Sequence, residues 1–219
     1  MTQPVLINPG KPDEGNPAGE VARDRLSATI QFLGRILGAV IREQAGDAAF
    51  SLEERVRALA KRLRANGHTP NGEAPAKDQM REAVGALTVA QMRDLIKSFS
   101  EYFALVNLSE QLQRIWVLRD RALRHPDEPR SESIAAAVGE LKRHGVNAAT
   151  LEDWLASALV LPVFTAHPTE AKRRTTLDKL RRIGDAVQRA TGEQLPLEAQ
   201  ATARLISEEL VSLWQSDEV

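Results

Sequence analysis

The sequence contains no cysteine among its 219 residues. This absence excludes disulfide bonds, thiolate metal sites and cysteine nucleophiles, and it fits a reducing compartment. No apolar run approaches the length needed to span a bilayer. The charges nearly cancel, with 29 basic and 30 acidic side chains, so the charge balance gives no support to a nucleic-acid partner. We therefore expect a cytoplasmic protein with no nucleic-acid partner and no membrane association.

The sequence also lacks an internal repeat, a glycine-rich phosphate loop and a cluster of metal ligands. What remains is typical of a globular protein, with 42% hydrophobic and 27% charged residues. Residues 1–20 are rich in proline and glycine and contain no apolar segment, so they predict a disordered tail and not a signal peptide.

From Val21 to residue 159 the pattern is helical, because apolar residues recur at three- and four-residue steps. Within this region, Thr88 and Gln91 form a capping-box pattern that opens a long helix toward His125. A further helix carries basic residues in its last turn and ends at Gly145. The predicted buried side of the long helix consists of Met92, Leu95, Ile96, Phe99, Phe103 and Val106.

Two sets of residues interrupt these helical patterns. Gly34 and Gly38 lie four positions apart on the first helix, where each glycine costs about 1 kcal/mol relative to alanine. We expect them to allow close approach of another helix. The polar residues Asn107, Glu110 and Gln111 lie in apolar surroundings on the long helix, and their expected role is either a structural hydrogen-bond network or a face toward an active site.

The most informative segment of the sequence surrounds His167. A short β-favouring run over residues 160–166 predicts a strand, and Pro168 follows the histidine at a position where a helix can begin. Thr169 and Glu170 suit a first helical turn, where the helix dipole favours negative charge. This order places an imidazole between a strand and a helix N-terminus, a location suited to anion binding and proton transfer.

Residue spacing alone does not decide the role of these side chains. A single histidine is more often structural than catalytic. Arg173 and Arg174 follow His167 closely, and a guanidinium group can hold a phosphate or carboxylate by two parallel hydrogen bonds. A salt bridge that fixes the helix is an equally good interpretation of the two arginines.

Four segments of the chain resemble the phosphoenolpyruvate carboxylase family in the expected order. The segment around His167, with its two arginines, resembles the first signature of that family. In chain order, the four segments are Leu33-Gly34-Arg35-Ile36-Leu37-Gly38-Ala39-Val40-Ile41-Arg42-Glu43-Gln44, Phe103-Ala104-Leu105-Val106-Asn107-Leu108-Ser109-Glu110-Gln111, Val163-Phe164-Thr165-Ala166-His167-Pro168-Thr169-Glu170 with Arg173-Arg174, and Trp214-Gln215-Ser216-Asp217-Glu218-Val219.

The resemblance implies an enzyme, a carboxy-lyase that converts phosphoenolpyruvate and bicarbonate to oxaloacetate and phosphate and so supplies the tricarboxylic acid cycle. It implies Mg²⁺ or Mn²⁺ as cofactor, with no metal ligand in this chain, and a homotetrameric complete enzyme. The catalytic histidine of the family corresponds to His167, and Arg173 and Arg174 correspond to its arginine pair as candidate substrate-binding residues. The implied fold of the complete family is an α-rich (β/α) barrel.

The resemblance also implies that family members are much longer, so that the chain corresponds to about the first quarter of one. The fourth segment stops inside its motif at Val219, which is expected of a fragment. We therefore expect an all-α fragment with one short strand near 160–166. The expected regions are a tail over 1–20, a helical region over 21–159, and an incomplete region over 160–219 with the first barrel strand, the histidine turn and two helices.

Two alternatives to a carboxylase remain open. A phosphohistidine domain would need a glycine-rich mobile loop around His167, which the sequence lacks. A catalytically inactive helical interaction module is the second alternative, because the metal ligands and most phosphate ligands would lie beyond residue 219. The isolated chain is accordingly expected to lack carboxylase activity.

Overall fold

The computed structural model describes residues 18–66, 73–130, 132–163, 172–190 and 195–216. Every regular element in this part of the chain is an α-helix, and no strand occurs within it. The all-α class predicted from the sequence is thereby confirmed. The helices are α1 (Ala18–Asn66), α2 (Glu73–Gly85), α3 (Val89–Arg124), α4 (Ile134–Arg143), α5 (Ala148–Ser157), α6 (Arg174–Arg189) and α7 (Pro196–Trp214).

The described residues divide into two compact units. The first contains residues 18–66, 73–113, 172–190 and 195–216, and the second contains residues 114–130 and 132–163. The predicted boundary between residues 159 and 160 concerns the complete family fold and stays a prediction. Of the predicted tail, residues 1–17 lie outside the described residues, whereas α1 already begins at Ala18.

The first unit is held together by helices that are distant in sequence. The helix pairs α1 with α2, α1 with α7, and α6 with α7 are packed together. Their apolar faces form a common core because each helix presents an apolar stripe at three- and four-residue spacing. The most deeply buried side chains, none more than 3% exposed, include Leu33, Leu37, Val40, Ile41, Leu59, Ile183, Val187, Ile206 and Leu210.

Helix α1 contains a kink at Gly46, whose φ of 86° and ψ of 167° are not helical. Glycine adopts a positive φ without the steric cost that a Cβ imposes. Across this kink the ring of Phe50 packs on Gly38, and a Cβ on Gly38 would lie only 2.9 Å from Phe50 Cε2. The close approach predicted for Gly38 is therefore made by the Phe50 ring, which belongs to the helical segment after the kink. Nothing lies within 4 Å of a Cβ added at Gly34.

Helix α3 begins at the predicted capping box. The Thr88 backbone N–H donates to Gln91 Oε1 at 2.9 Å, and Gln91 N–H donates to Thr88 Oγ1 at 3.3 Å. These two hydrogen bonds confirm the predicted start of α3. The positive φ of 75° at Gly145 likewise confirms that the chain leaves α4 at this glycine, as predicted. The buried side of α3 was predicted wrongly, however. It is centred on Ser98, Glu101, Leu105, Ser109 and Leu112, all at most 8% exposed.

The polar residues of this buried side explain why apolar periodicity missed it. Ser98 Oγ donates to the Asp94 carbonyl and Ser109 Oγ donates to the Leu105 carbonyl, each at 2.7 Å. A serine hydroxyl that donates to the carbonyl four residues earlier satisfies its hydrogen bond within its own helix, so it can be buried without an outside partner. Asn107, Glu110 and Gln111, which the sequence placed in apolar surroundings, are exposed.

The strand predicted over 160–166 does not form in its described part. Residues 158–163 have no regular secondary structure, and residues 164–166 lie outside the described residues. Val160 and Val163 are 87% and 83% exposed. A strand requires a neighbouring strand to take its backbone hydrogen bonds, and no other strand occurs in the described part of the chain.

In the second unit, only Trp116 among the described hydrophobic residues is buried. Both short helices are nevertheless capped, α4 by Ser133 and α5 by Asn147, whose side chains accept from the backbone N–H groups of Ala136 and Thr150. These local hydrogen bonds favour helix formation without any contribution from a core. No helix in the described residues is long and apolar enough to cross a membrane.

Candidate functional site

His167, the residue that carries the catalytic prediction, lies in the segment 164–171, outside the described residues. Its assignment as the catalytic histidine stays a prediction. The two histidines that the structure describes, His125 and His144, lie at the C-terminal ends of α3 and α4. His144 Nε2 is 2.9 Å from Glu140 Oε1 on its own helix. Both histidines are exposed at the end of a helix and belong to no cluster of three or more metal-ligating groups in the described residues.

Arg173 and Arg174 lie together at the N-terminus of α6. Arg173 is the N-cap residue, with an extended backbone (φ −60°, ψ 146°), and Arg174 is the first helical residue. The helix start predicted at Pro168 lies outside the described residues. Lys172 and Arg173 are not helical, so α6 itself begins at Arg174. Both arginines are exposed.

The N-terminus of α6 combines positive side chains with amide groups that lack a partner within the helix. The first intrahelical hydrogen bond runs from the Leu177 N–H to the Arg173 carbonyl at 3.1 Å, which leaves the amides of residues 174–176 without an intrahelical partner. Arg173 makes no side-chain cap, and the first turn of α6 contains no acidic residue. Two arginines here oppose the helix dipole, which favours negative charge at this end. An anion placed there would be attracted by both the side chains and the amides.

Helix α6 is attached firmly to α7. Arg182 Nε lies 2.5 Å from Glu209 Oε1, and its terminal nitrogen lies 2.8 Å from Glu209 Oε2. The hydrogen bond to Glu209 raises the pKa of Arg182. Lys179 Nζ donates to the Ser212 carbonyl at 2.9 Å. A two-point ion pair and an additional hydrogen bond fix the direction of α6, and hence the position of its N-terminal arginines.

Helix α6 also meets a side chain of α3 at Gly184. A Cβ added at Gly184 would lie 3.2 Å from Leu108 Cδ1. Ile183 and Val187, on the same helix as Gly184, are fully buried. The side chain of Leu108 on α3 therefore occupies the space that a Cβ on Gly184 would need.

The sequence did not reveal two buried carboxyl groups. Glu101 on α3 is 8% exposed, and neither carboxyl oxygen has a hydrogen-bond partner within the described residues. Burial raises its pKa to about 8, partly offset by Lys97 and Lys179. Burial, together with the neighbouring Glu54 carboxylate, likewise raises the pKa of Glu53 on α1 to about 7. The sequence did contain a sign of the buried Glu101, since Ser98, Glu101 and Leu105 recur at three- and four-residue steps. A search for apolar residues alone misses this face, because two of the three residues are polar.

No group of three or more histidine or acidic side chains in the described segments is arranged to hold a metal ion. A cavity of about 320 Å³ lies among α1, α2 and the start of α3. Alanine and leucine side chains form most of its wall, and Arg55, Gln91 and Asp94 supply its polar groups. It includes none of the predicted site residues. The described part of the site is thus a basic, anion-attracting helix end on an all-helical scaffold.

Comparison with known proteins identifies the family of this scaffold. A family model described as phosphoenolpyruvate carboxylase matches residues 26–219. A phosphoenolpyruvate carboxylase of Roseiflexus castenholzii is 53% identical over 196 residues, which are 90% of this chain and 20% of that protein. One from Rhodopseudomonas palustris strain BisA53 is 32% identical over 208 residues, covering 94% of this chain and 21% of the relative. No solved structure matches the chain.

The chain belongs to the phosphoenolpyruvate carboxylase family. It spans about a fifth of the length of the curated relatives it matches. The family model covers the segment around His167 together with Arg173 and Arg174.

Proposed function

We propose that this chain contributes the histidine segment and a basic helix end to a phosphoenolpyruvate carboxylase that forms oxaloacetate and phosphate from phosphoenolpyruvate and bicarbonate. The observation that supports this role is the pair of exposed arginines at the N-terminus of α6, in a chain that belongs to the family. Both substrates are anions, and guanidinium groups at a helix N-terminus suit phosphate or carboxylate. The protein is proposed to act in the cytoplasm as a homotetramer.

In the proposed reaction, a bicarbonate oxygen attacks the phosphorus of phosphoenolpyruvate and the bond from phosphorus to the enol oxygen breaks. The products of this step are carboxyphosphate and the enolate of pyruvate. Carboxyphosphate then releases carbon dioxide and phosphate, and the enolate carbon forms a bond to the carbon dioxide. His167 is proposed to manage a proton in this second stage, because an unperturbed imidazole has a pKa of about 6.5 and exchanges protons near neutral pH.

The proposed cofactor, Mg²⁺ or Mn²⁺, would be held by other parts of the complete enzyme. The described residues do not fit such a site, since no cluster of three carboxylate or histidine ligands occurs among them. No step of the proposed mechanism is therefore assigned to a metal ligand of this chain. For the same reason, the isolated chain is proposed to be catalytically inactive.

The proposal is tested by joining this chain to the portion of the Roseiflexus castenholzii enzyme that it does not span, and measuring bicarbonate-dependent oxaloacetate formation. Arg173→Gln and Arg174→Gln should each raise the KM for phosphoenolpyruvate, because one charged hydrogen-bonding group for the anion is lost. Arg181→Gln is the matched control, since Arg181 is an exposed arginine two turns further along α6 that pairs with Asp178 at 3.4 Å.

An unchanged KM in both N-terminal variants would remove the two arginines from substrate binding. Oxaloacetate formation by the purified 219-residue chain alone would contradict its proposed inactivity.

A helical interaction module is the second candidate function, and one observation favours it. Ile96 and Phe103 on α3, predicted to be buried, are more than half exposed. If the chain only binds another polypeptide and takes no part in catalysis, Arg173→Gln and Arg174→Gln should leave the kinetics of the joined protein normal.

A further inference from the structure

Helix α3 carries a row of apolar side chains on its outer surface. Met92, Ile96, Phe99 and Phe103 follow one another at intervals of four, three and four residues, so they lie on one face of the helix. Met92, Ile96 and Phe103 are 36%, 55% and 58% exposed. The rings of Phe99 and Phe103 stack, with centroids 6.1 Å apart. We refer to these four residues as the α3 stripe.

The α3 stripe faces away from the core of the first unit. The buried side of α3 is formed by Glu101, Leu105 and Leu112. At 100° per residue, Ile96 and Phe103 lie about 140–180° around the helix axis from those side chains. Helix α3 thus has an apolar side and a mixed side, and the first unit covers only the mixed side. Apolar surface left in water costs about 25 cal/mol per Å², so a contiguous row of this kind marks an interaction surface.

The size of the stripe decides what kind of partner fits it. Its four residues span twelve positions of α3, about 16 Å along the helix axis. A stable interface between separate molecules buries about 800 Å² per partner, which four partly exposed side chains do not supply. A segment of the same polypeptide needs much less contact area, because covalent connection removes most of the entropy cost of association.

The relatives of this chain are long enough to contain such a segment. The chain spans 20% of the Roseiflexus castenholzii enzyme and 21% of the Rhodopseudomonas palustris enzyme. We propose that the α3 stripe is the surface on which the rest of a phosphoenolpyruvate carboxylase polypeptide packs. This inference rests on family membership and not on the proposed roles of His167 or the arginines, so it is tested without measuring activity.

The residues that follow the stripe define the edge of this surface. Asn107 and Glu110 continue the same face by one and two turns and are exposed. They form a polar rim next to the apolar row, as in interfaces with a hydrophobic centre. The packing segment should therefore place apolar side chains over Ile96 and Phe103, and hydrogen-bonding groups opposite Asn107 and Glu110.

Because the chain contains no cysteine, single cysteines can report on this surface without background labelling. Ile96→Cys and Phe103→Cys are placed in the isolated chain and in the same chain joined to the remaining portion of the Roseiflexus castenholzii enzyme. The joined protein without an added cysteine gives the baseline. Glu208→Cys is the matched control, an exposed helix position in an ion pair with Arg204 at 2.8 Å.

In the isolated chain, a maleimide probe should label all three variants rapidly and at rates independent of protein concentration. In the joined protein, labelling at positions 96 and 103 should slow by at least about tenfold, since access then requires local opening of a packed contact. Labelling at position 208 should keep its rate.

Three outcomes overturn the proposal. Equal rates at position 96 in the isolated and joined proteins would show that the stripe stays uncovered. Slow labelling in the isolated chain would mean that the stripe is already covered there. A rate that depends on protein concentration would identify a second copy as the cover, and a constant rate would identify another part of this chain. If labelling at position 208 slows in the joined protein as much as labelling at positions 96 and 103, the protection is not specific to the stripe.

A stability measurement guards against a loss of labelling caused by misfolding. Phe103→Asp should lower the Tm of the isolated chain only slightly, because Phe103 is 58% exposed there and loses little beyond its ring contact with Phe99. The same substitution should lower the Tm of the joined protein by several degrees, because a charge would be buried without a partner. A Tm of the joined protein that falls no more than that of the isolated chain also overturns the proposal.

Discussion

The guanidinium group of Arg182 holds the carboxylate of Glu209 by two hydrogen bonds, of 2.5 and 2.8 Å, and so connects α6 to α7. This ion pair joins residues that are 27 positions apart. Its consequence reaches the candidate site, because α6 carries Arg173 and Arg174 at its N-terminus. The direction of that helix end is therefore set by a contact about two turns away along α6.

Glu209→Ala should lower the Tm of the chain measurably, with a smaller loss at high salt. The reason is that Glu209 is only 17% exposed and its carboxylate pairs with a different helix. Glu208→Ala is the control, since Glu208 is 64% exposed and pairs with Arg204 on its own helix. Thermal unfolding in low and high salt checks the difference, and an equal Tm for the two variants would contradict a special role for the pair.

Glu101 should make the stability of the chain depend on pH. Its folded pKa is about 8 against an ordinary value of 4.5, so the folded state binds more protons than the unfolded state between these values. The stability that comes from the protonated group is complete below pH 4.5 and is lost as the pH rises through 8. Glu101→Gln should therefore stabilise the chain at about pH 9, on the order of a few kcal/mol, and change little at about pH 4.

The measurement is urea unfolding of wild type and Glu101→Gln across this pH range, with Glu110→Gln as an exposed control on the same helix. Glu53, with a pKa raised to about 7, contributes a dependence of the same sign that is present in all three proteins. A stability difference between wild type and Glu101→Gln that does not vary with pH would contradict the raised pKa of Glu101.

Gly34 and Gly38 should respond oppositely to alanine. Gly34→Ala should stabilise the chain by about 1 kcal/mol, because alanine favours a helix interior and its Cβ would meet nothing within 4 Å. Gly38→Ala should destabilise it, because the new Cβ would lie 2.9 Å from Phe50, whose ring is held by Arg42 at 3.6 Å. Denaturant unfolding checks both, and a more stable Gly38→Ala variant would show that the ring moves freely.

His167→Asn in the joined enzyme should impair oxaloacetate formation more than phosphoenolpyruvate cleavage. Asparagine retains hydrogen bonding but cannot carry a proton at neutral pH, and loss of acid–base help typically costs about 10²–10⁴ in rate. The enolate would then be released as pyruvate. The ratio of pyruvate to oxaloacetate, taken with the Tm, is decisive, and a normal ratio in a stably folded variant would remove His167 from the mechanism.

The features predicted correctly from the sequence depend on neighbouring residues. The capping box of Thr88 and Gln91 and the stop at Gly145 both follow from local residue types, and the helices begin and end there as predicted. Each is a hydrogen bond or a backbone conformation within a few positions of chain, so the residue types alone specify it. The helix start at Pro168 lies outside the described residues and stays a prediction, and no local signal pointed to the start of α6 at Arg174.

The candidate site could be located from the sequence mainly through its resemblance to a known family. The segment around His167 matched the family signature, and the match over residues 26–219 confirms the family. The exposure of Arg173 and Arg174 and the missing side-chain cap of α6 were not predictable from local pattern. They depend on where α6 begins and on how Arg182 and Lys179 attach it to α7.

The sequence by itself determined that this chain is helical, where several of its helices start and stop, and to which family it belongs. Only the tertiary structure decided which side of α3 is buried, because that helix has one apolar side at Ile96 and Phe103 and a mixed side at Glu101 and Leu105. Periodicity favours the more apolar side. The first unit instead buries the mixed side, where Ser98 and Ser109 hydrogen-bond within the helix and Leu108 meets the glycine of α6.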